Sequence, residues 1–317
     1  MFFLCGFFVG WIELFIFAVK YDITMIDYRE FVHPQDESAL ATMKAIPGFT
    51  TAVKTFMKYF NETMIHGLFM ASKIRLSPTQ LPHIYKRLPP ICKMLGITEP
   101  EFYLEMNPMP NAYTMGDTKV FLVVTSGLLE YLDDDEIDSV IAHECGHIAC
   151  HHVLYHTMAN YLILAGESLG LIKFFSKPIE LALLYWQRKS ELSADRAAAT
   201  LFGVESVIET QVRLAGGSKQ ITQNINIDEW IRQAEDYEDI RDGSKWDKFL
   251  QLMVTMNNTH PFAAVRVREI VNWSRTSNYS NLRNKIKPLI EQTNTCPNCH
   301  KPIEITWKFC RHCGIEL

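Results

Sequence analysis

Apolar residues recur at helical spacing over most of this chain and at strand spacing over one short part of it. The segments "ESALATMKAI" and "TAVKTFMKYF" predict two helices, parted by Pro47 and Gly48. From residue 78 to 97, Leu81, Ile84, Tyr85, Leu88, Ile91, Cys92 and Leu95 again share one helical face. Pro82 suits a first turn there, whereas Pro89 and Pro90 predict a break or kink. After Pro100 the texture changes. "EFYLEM", "NAYTMG" and "VFLVVT" are short and rich in aromatic and β-branched residues, with Pro108, Pro110 and the Gly116–Asp117 pair as punctuation, so they predict three strands of a small sheet. "SGLLEYL" then opens a helix. The acidic run "DDDE" (133–136) suits a helix N-terminus, where backbone N–H groups are unpaired. Ile137, Val140, Ile141, Ile148 and Val153 continue from it at helical spacing, so one long helix is expected to carry "IAHECGHIACHH" (141–152).

Residues 161–185 are apolar but interrupted by Glu167, Lys173, Lys177 and Pro178, and each half is too short to span a bilayer. Core helices are the expectation, with an interfacial hairpin as the alternative. Further helices are predicted at "RKSELSADRAAATLF", over residues 228–257, and at "HPFAAVRVREIVNW". The fold class that follows is mainly α with a small β-sheet (α+β). Three segments are delimited: residues 1–24, an apolar N-terminal stretch; 25–290, the main domain; and 291–317, a cysteine-bearing tail.

With 317 residues, 48% of them hydrophobic, the chain can bury one sizeable core or two modest ones. A net charge of −5 gives no electrostatic footprint for nucleic acid, so no such partner is expected. Residues 1–19 contain a single charge, Glu13, and are long enough to span a bilayer. Lys20 follows directly, which places the rest of the chain on the cytoplasmic side if the segment inserts. Membrane contact through residues 1–19 is therefore the expectation. The alternatives are a leader upstream of Met25 and a soluble cytoplasmic protein.

The chemistry concentrates in residues 141–156. His143 and His147 are four apart, which on a helix puts them about 40° apart around the axis and about 6 Å along it. Both rings can then reach one metal ion. Glu144 projects to the neighbouring flank, within reach of a water on that metal. This is the H-E-x-x-H pattern of helix-borne zinc sites. By the same rise, His151, His152 and His156 lie too far along a straight helix to join that ion, and Cys145 and Cys150 are expected to pack. A third ligand must come from elsewhere. The best candidate is "SELSADRAA", where Glu191 and Asp195 share one helical face. Two histidines and one glutamate leave a zinc with its fourth position for water, and Asp195 can accept a hydrogen bond from a ligating histidine and fix its tautomer.

"HECGH" followed by "ELSAD" resembles the gluzincin zinc metallopeptidases of the HtpX and CaaX-prenyl-protease type. The resemblance extends to "PNAYTMG" (110–116) and "THPFAAVRVREI" (259–270), and covers roughly residues 60–275. It implies a zincin-like metallopeptidase core in which His143, His147 and Glu191 bind zinc, Glu144 is the general base and Asp195 orients a ligand. It also implies that Asn111 and His260 line the cleft and that Arg266 fixes the local charge network. His260 is the candidate donor to the tetrahedral oxyanion, and the strand with Asn111, Ala112 and Tyr113 is the candidate to bind substrate backbone by strand addition. Where membrane members of that family carry long apolar spans between the zinc motifs, this chain has a short stretch holding charges. A multi-span prenyl-protein protease is disfavoured for that reason.

Near the end, "CPNC" (Cys296, Cys299) and "CRHC" (Cys310, Cys313) are two Cys-x-x-Cys pairs, a strong signal for a four-cysteine structural zinc. The segment resembles a zinc ribbon. Two disulfides are the competing assignment, and His300 and His312 are bystanders. The expected cofactors are two Zn²⁺ ions, one catalytic and one structural. The expected function is a zinc-dependent metalloendopeptidase acting on peptide or unfolded-protein substrates, in a quality-control setting, with a protein partner engaged through the ribbon. The alternative is a peptidase-like adaptor that presents the ribbon to partners.

Overall fold

A computed structural model of the chain describes residues 25–165, 177–242 and 263–293, with positions 296, 298, 299, 301, 309, 310 and 313–315 of the cysteine tail. The N-terminal segment 1–24, residues 166–176 within the apolar stretch, residues 243–257 of the predicted amphipathic helix and His260 lie outside the described residues.

The two N-terminal helices form on either side of Pro47 and Gly48, as α1 (Pro34–Lys44) and α2 (Phe49–Tyr59). A third, α3 (Glu62–Ser72), follows where the pattern had marked nothing; its apolar face is reduced to Ile65 and Phe69, which are buried. The proline pair in the next segment does not kink a helix. A turn at Pro82–Tyr85 ends, and α4 (Leu88–Leu95) restarts with prolines in its first turn, where the missing N–H costs nothing.

The three expected strands are β2 (Glu101–Glu105), β3 (Ala112–Gly116) and β4 (Val120–Thr125), joined by a two-residue strand β1 (Ile74–Arg75) that was too short to read. The order is β1-β2-β4-β3, with β2 and β4 parallel and both outer pairs antiparallel. β4 is apolar along most of its length because both its faces are covered. Leu122 and Val124 join the main core, while Phe121 and Val123 pack with Ile65, Phe69 and Tyr103 on the other side. Gly116 turns β3 into β4 at φ +123°, where an added Cβ would fall 2.0 Å from the Lys119 carbonyl oxygen.

A short helix, Ser126–Tyr131, leads into the motif helix α5 (Asp134–Ala149). Glu136 accepts a hydrogen bond from the Asp133 N–H at 2.9 Å, so the acidic run does start this helix. The helix is shorter than expected. His151 adopts φ +58°, the His152 N–H bonds back to the His147 carbonyl at 2.9 Å, and α6 (Val153–Ala165) begins anew. A left-handed turn of this kind closes a helix C-terminus. The remaining helices are α7 (Lys177–Phe202), α8 (Val204–Gly216), α9 (Ile227–Asp242), α10 (Ala263–Ser274) and α11 (Ser277–Thr293). α7 lies along α5 at close range. A Cβ on Gly146 would meet the Ala197 Cβ at 2.7 Å, and Ala194 is the next neighbour, so small residues on both helices set their separation. α1 covers another side of α7, where Met43, Ile179, Leu183 and Trp186 share a cluster. The architecture is therefore mainly helical with a small mixed sheet. Among the described residues, no helix is long and apolar enough to cross a membrane.

Candidate metal centre

Because α5 and α7 approach so closely, the side chains facing each other across them meet in a buried corner. His143 and His147 both point Nε2 at the carboxylate of Glu191. The separations are 3.4 Å to Oε2 and 3.3 Å to Oε1, with the two rings nearly perpendicular. Donor atoms around a tetrahedral ion with bonds of about 2.0–2.1 Å stand about 3.3–3.4 Å apart. Each histidine Nε2 therefore stands from a Glu191 oxygen at the separation of two donors on one such ion. Glu144 sits beside them and is also buried.

The charges at the corner point the same way. Glu144, Glu191 and Asp195 are three buried carboxylates, with one guanidinium among the described residues, Arg266, to balance them. Arg266 forks onto Asp195, Nε to Oδ2 at 2.7 Å and Nη2 to Oδ1 at 2.5 Å, and its Nη1 reaches Glu191 Oε2 at 3.1 Å. Burial works to raise the Asp195 pKa, but Arg266 and then His143 outweigh it and hold the group down at about 2. Asp195 Oδ1 lies 3.0 Å from His143 Nδ1. With Asp195 ionised, that nitrogen carries the proton and Nε2 offers its lone pair to the corner. Burial lowers the His143 pKa, yet its bonds to Asp195 and Glu191 bring the net value up to about 9, so a metal taken up at Nε2 would replace a proton held there by Glu191. His147 is shifted down, chiefly by burial, with Glu191 opposing.

A cleft of about 320 Å³ opens onto His143 and Glu144. Asn111 and Ala112 form part of its rim, and Leu128, Val140 and Val207 part of its apolar wall. Arg266, which the family resemblance assigned to the local charge network, is buried at this cleft. Tyr113 does not join it. Its hydroxyl donates to Glu105 at 2.8 Å and its ring packs with the cluster on the far side of the sheet, because alternate residues of β3 face opposite ways. Only its backbone remains on the cleft-side strand.

His151 turns outward, edge-on to Tyr28. His152 and His156 do not continue along a straight helix as expected. The turn at His151 folds them back, so that His152 Nδ1 lies 3.1 Å from His147 Nδ1 and the His147 and His156 ring centroids are 4.5 Å apart. His156 Nε2 lies 2.7 Å from Ser190 Oγ, and His152 Nε2 lies 3.0 Å from Asp36 Oδ2. Cys145 and Cys150 are buried, and burial pushes both thiols well above their ordinary range.

The sequence profile of peptidase family M48 matches residues 82–274 of this chain. The chain belongs to peptidase family M48. Its relatives include the plastoglobule-localized metallopeptidase 48 of Arabidopsis thaliana chloroplasts, 31% identical over 81% of this chain and 76% of that protein. A protease HtpX homolog of Tropheryma whipplei is 32% identical over 43% of this chain and 46% of its own length. Among solved structures, that of S. mikatae Ste24p aligns over 73% of this chain and 64% of its own with a TM-score of 0.35 and 16% identity. As a member of M48, the protein is a metallopeptidase, and the His143–His147–Glu191 corner is the buried H-E-x-x-H site within its matched region.

In the tail of this M48 chain, the Cys296 and Cys313 Sγ atoms are 3.5 Å apart and those of Cys299 and Cys310 3.6 Å. These separations are far longer than a disulfide bond of about 2.0 Å and close to the edge of a sulfur tetrahedron with metal–sulfur bonds of about 2.3 Å. Backbone N–H groups of Asn298 and Cys299 point at Cys296 Sγ at 3.4 and 3.5 Å.

Proposed function

We propose that the protein is a zinc-dependent endopeptidase whose catalytic zinc is held by His143, His147 and Glu191. The convergence of both histidine Nε2 atoms on the two Glu191 oxygens, at the separation of tetrahedral ligands, is the observation that carries this reading. When bound there, zinc lowers the pKa of a coordinated water and polarises the scissile carbonyl. The Glu144 carboxylate, on the cleft side of the corner, takes the proton of the attacking water and delivers it to the leaving amine as the C–N bond breaks. Asp195 holds the His143 Nδ1–H, and Arg266 holds Asp195 and offsets the charge of Glu191. His260 is assigned as a donor to the oxyanion. The backbone of Asn111, Ala112 and Tyr113 is assigned to an extended substrate, with the apolar cleft wall receiving a substrate side chain.

Cys296, Cys299, Cys310 and Cys313 are assigned a second, structural zinc, which supplies most of the fold of so short a segment. Phe309 is exposed beside this site, which suits a partner-binding ribbon. The substrates proposed are peptides and unfolded proteins, in a quality-control role at the cytoplasmic face of a membrane to which residues 1–24 anchor the domain. Fractionation of cells expressing the chain with and without those residues tests the anchor.

The central test is Glu144→Gln. Zinc content is expected to stay at that of the wild type while hydrolysis of casein falls by about 10²–10⁴-fold, the range for removing a general base. Undiminished cleavage would overturn the base assignment, and a wild-type protein without zinc beyond its cysteine site would overturn the catalytic-metal assignment.

A further inference from the structure

The corner places its two histidines in different surroundings. His143 is oriented by Asp195 on α7, inside the family's own H-E-x-x-H and E-x-x-x-D pattern. Among the described residues, no carboxylate is bonded to His147 Nδ1. Its neighbour is His152 Nδ1 at 3.1 Å, and His152 Nε2 in turn lies 3.0 Å from Asp36 Oδ2. Asp36 is on α1, far upstream and outside the residues 82–274 matched by the family profile.

We propose that His152 and Asp36 are positioning residues for His147, a relay that fixes the tautomer in which His147 offers Nε2 to the metal. The inference rests on the zinc reading given above. Its argument is the direction of the hydrogen bonds. Asp36 is surrounded by donors: Trp186 Nε1 reaches Oδ1 at 2.8 Å and Ser193 Oγ reaches Oδ2 at 2.5 Å. The Ser193 oxygen accepts from the His33 N–H at 2.9 Å, which leaves its own proton for Asp36. An ionised carboxylate, accepting at both oxygens, satisfies that environment with no further proton. His152 must then donate from Nε2. A neutral imidazole that donates from Nε2 accepts at Nδ1, so the bond to His147 can form only if His147 Nδ1 carries the proton. The remaining nitrogen of His147, Nε2, is then the lone pair aimed at Glu191. His147, His152 and Asp36 are 3%, 1% and 1% exposed, so water does not compete for these bonds.

A different occupant of the same place is a second metal ion on His147, His152 and His156, whose nitrogen atoms cluster closely enough for one. That ion would need His147 to give up its Nδ1 proton while Nε2 serves the first metal. It would also replace bonds that already use both nitrogens of His152, and the His156 Nε2–Ser190 Oγ contact of 2.7 Å. The relay satisfies these groups with no ion.

The test uses the full chain, with zinc counted per molecule and the affinity of the His143–His147 site measured by competition with a chelator. The cysteine site serves as an internal control. Asp36→Asn places an amide N–H₂ among groups that are all donors. It is expected to weaken zinc at the histidine site by about 10–100-fold, the range for lost outer hydrogen bonds to a ligand, and to leave the cysteine zinc unchanged. His152→Asn keeps an acceptor where Nδ1 stood, whereas His152→Leu fills the space without one. Tighter zinc binding by His152→Asn than by His152→Leu supports the relay. Equal binding by the two, or preference for leucine, indicates a packing role and overturns it, as does wild-type affinity in Asp36→Asn. If Asp36→Asn does not fold, the His152 pair decides. A third zinc in the wild type that disappears with His156→Ala would establish the competing site. A wild type carrying only the cysteine zinc would instead show that the zinc reading itself has failed, and the relay with it.

Discussion

At the scale of single residues, the corner is a problem of uncompensated charge, and Arg266 is its main solution on the protein side. A guanidinium suits this place because it is planar and forked: two nitrogens engage Asp195 while a third reaches Glu191. Arg266→Met would keep much of the bulk and remove the guanidinium that both buried carboxylates pair with, at a cost of about 3–5 kcal/mol. Urea unfolding is expected to show that loss, and to show it grow when metal is stripped by a chelator, since the ion offsets the same carboxylates. Arg266→Lys should fall between the two, because one ammonium cannot fork. His143, Glu144, His147 and Glu191 were legible in the sequence because their spacing on a regular helix fixes where they point. Arg266 carried no such signal: a lone arginine in "AAVRVREI" reads as surface until the helix is docked. Asp36 in "HPQDES" carried none at all, since its role depends on a contact with His152, which the fold brings together from far along the chain.

At the scale of elements, helices inside which periodicity is strong were readable, and so were ends marked by Pro, Gly or an acidic run, but not the end of α5. The apolar pattern from Ile137 to Val153 runs smoothly through a break at His151, since a left-handed turn held by backbone bonds leaves no mark in hydrophobic spacing. That break is what brings His152 beneath His147. The close approach of α5 and α7 was equally silent, because Gly146 and Ala197 look like ordinary small residues until they touch. Between α1 and α10 the tie is electrostatic. His33, at the N-terminus of α1, lies 3.6 Å from Glu269 on α10, and Arg268 donates to Glu269 at 2.9 Å. The neighbouring His33, with burial opposing and Arg268 assisting, holds Glu269 down at about 2, below its ordinary 4.5. A carboxylate depressed on folding contributes stability that is complete above its unfolded pKa and disappears as pH falls through the folded one. The difference in urea midpoint between wild type and Glu269→Gln should therefore be constant above pH about 4.5, shrink below it and close near pH 2. Taking the difference cancels the loss of metal that both proteins suffer in acid. A gap that stayed constant through that range would show that the depressed pKa of Glu269 is not what ties α10 to α1.

At the scale of the molecule, the chain combines two kinds of candidate metal site. The histidine corner is built by packed helices that have their own core, so its ligands are in place because the fold is. The cysteine tail has the opposite dependence, a segment too short to bury a core whose geometry follows from the four sulfurs it holds together. Removing metal should separate the two. Cys310→Ser is expected to halve the zinc content, leave the unfolding of the helical domain unchanged and leave hydrolysis of a short peptide at the wild-type rate. His143→Ala should also halve the zinc but abolish hydrolysis, and should keep the cysteine site's spectrum after cobalt substitution. Hydrolysis of a large unfolded substrate is the reading that tells what the tail is for. A loss confined to that substrate in Cys310→Ser would place the ribbon in substrate capture, because the cleft at Glu144 would still cut whatever reached it. An equal loss on both substrates would mean that the sulfur site supports the helical domain itself.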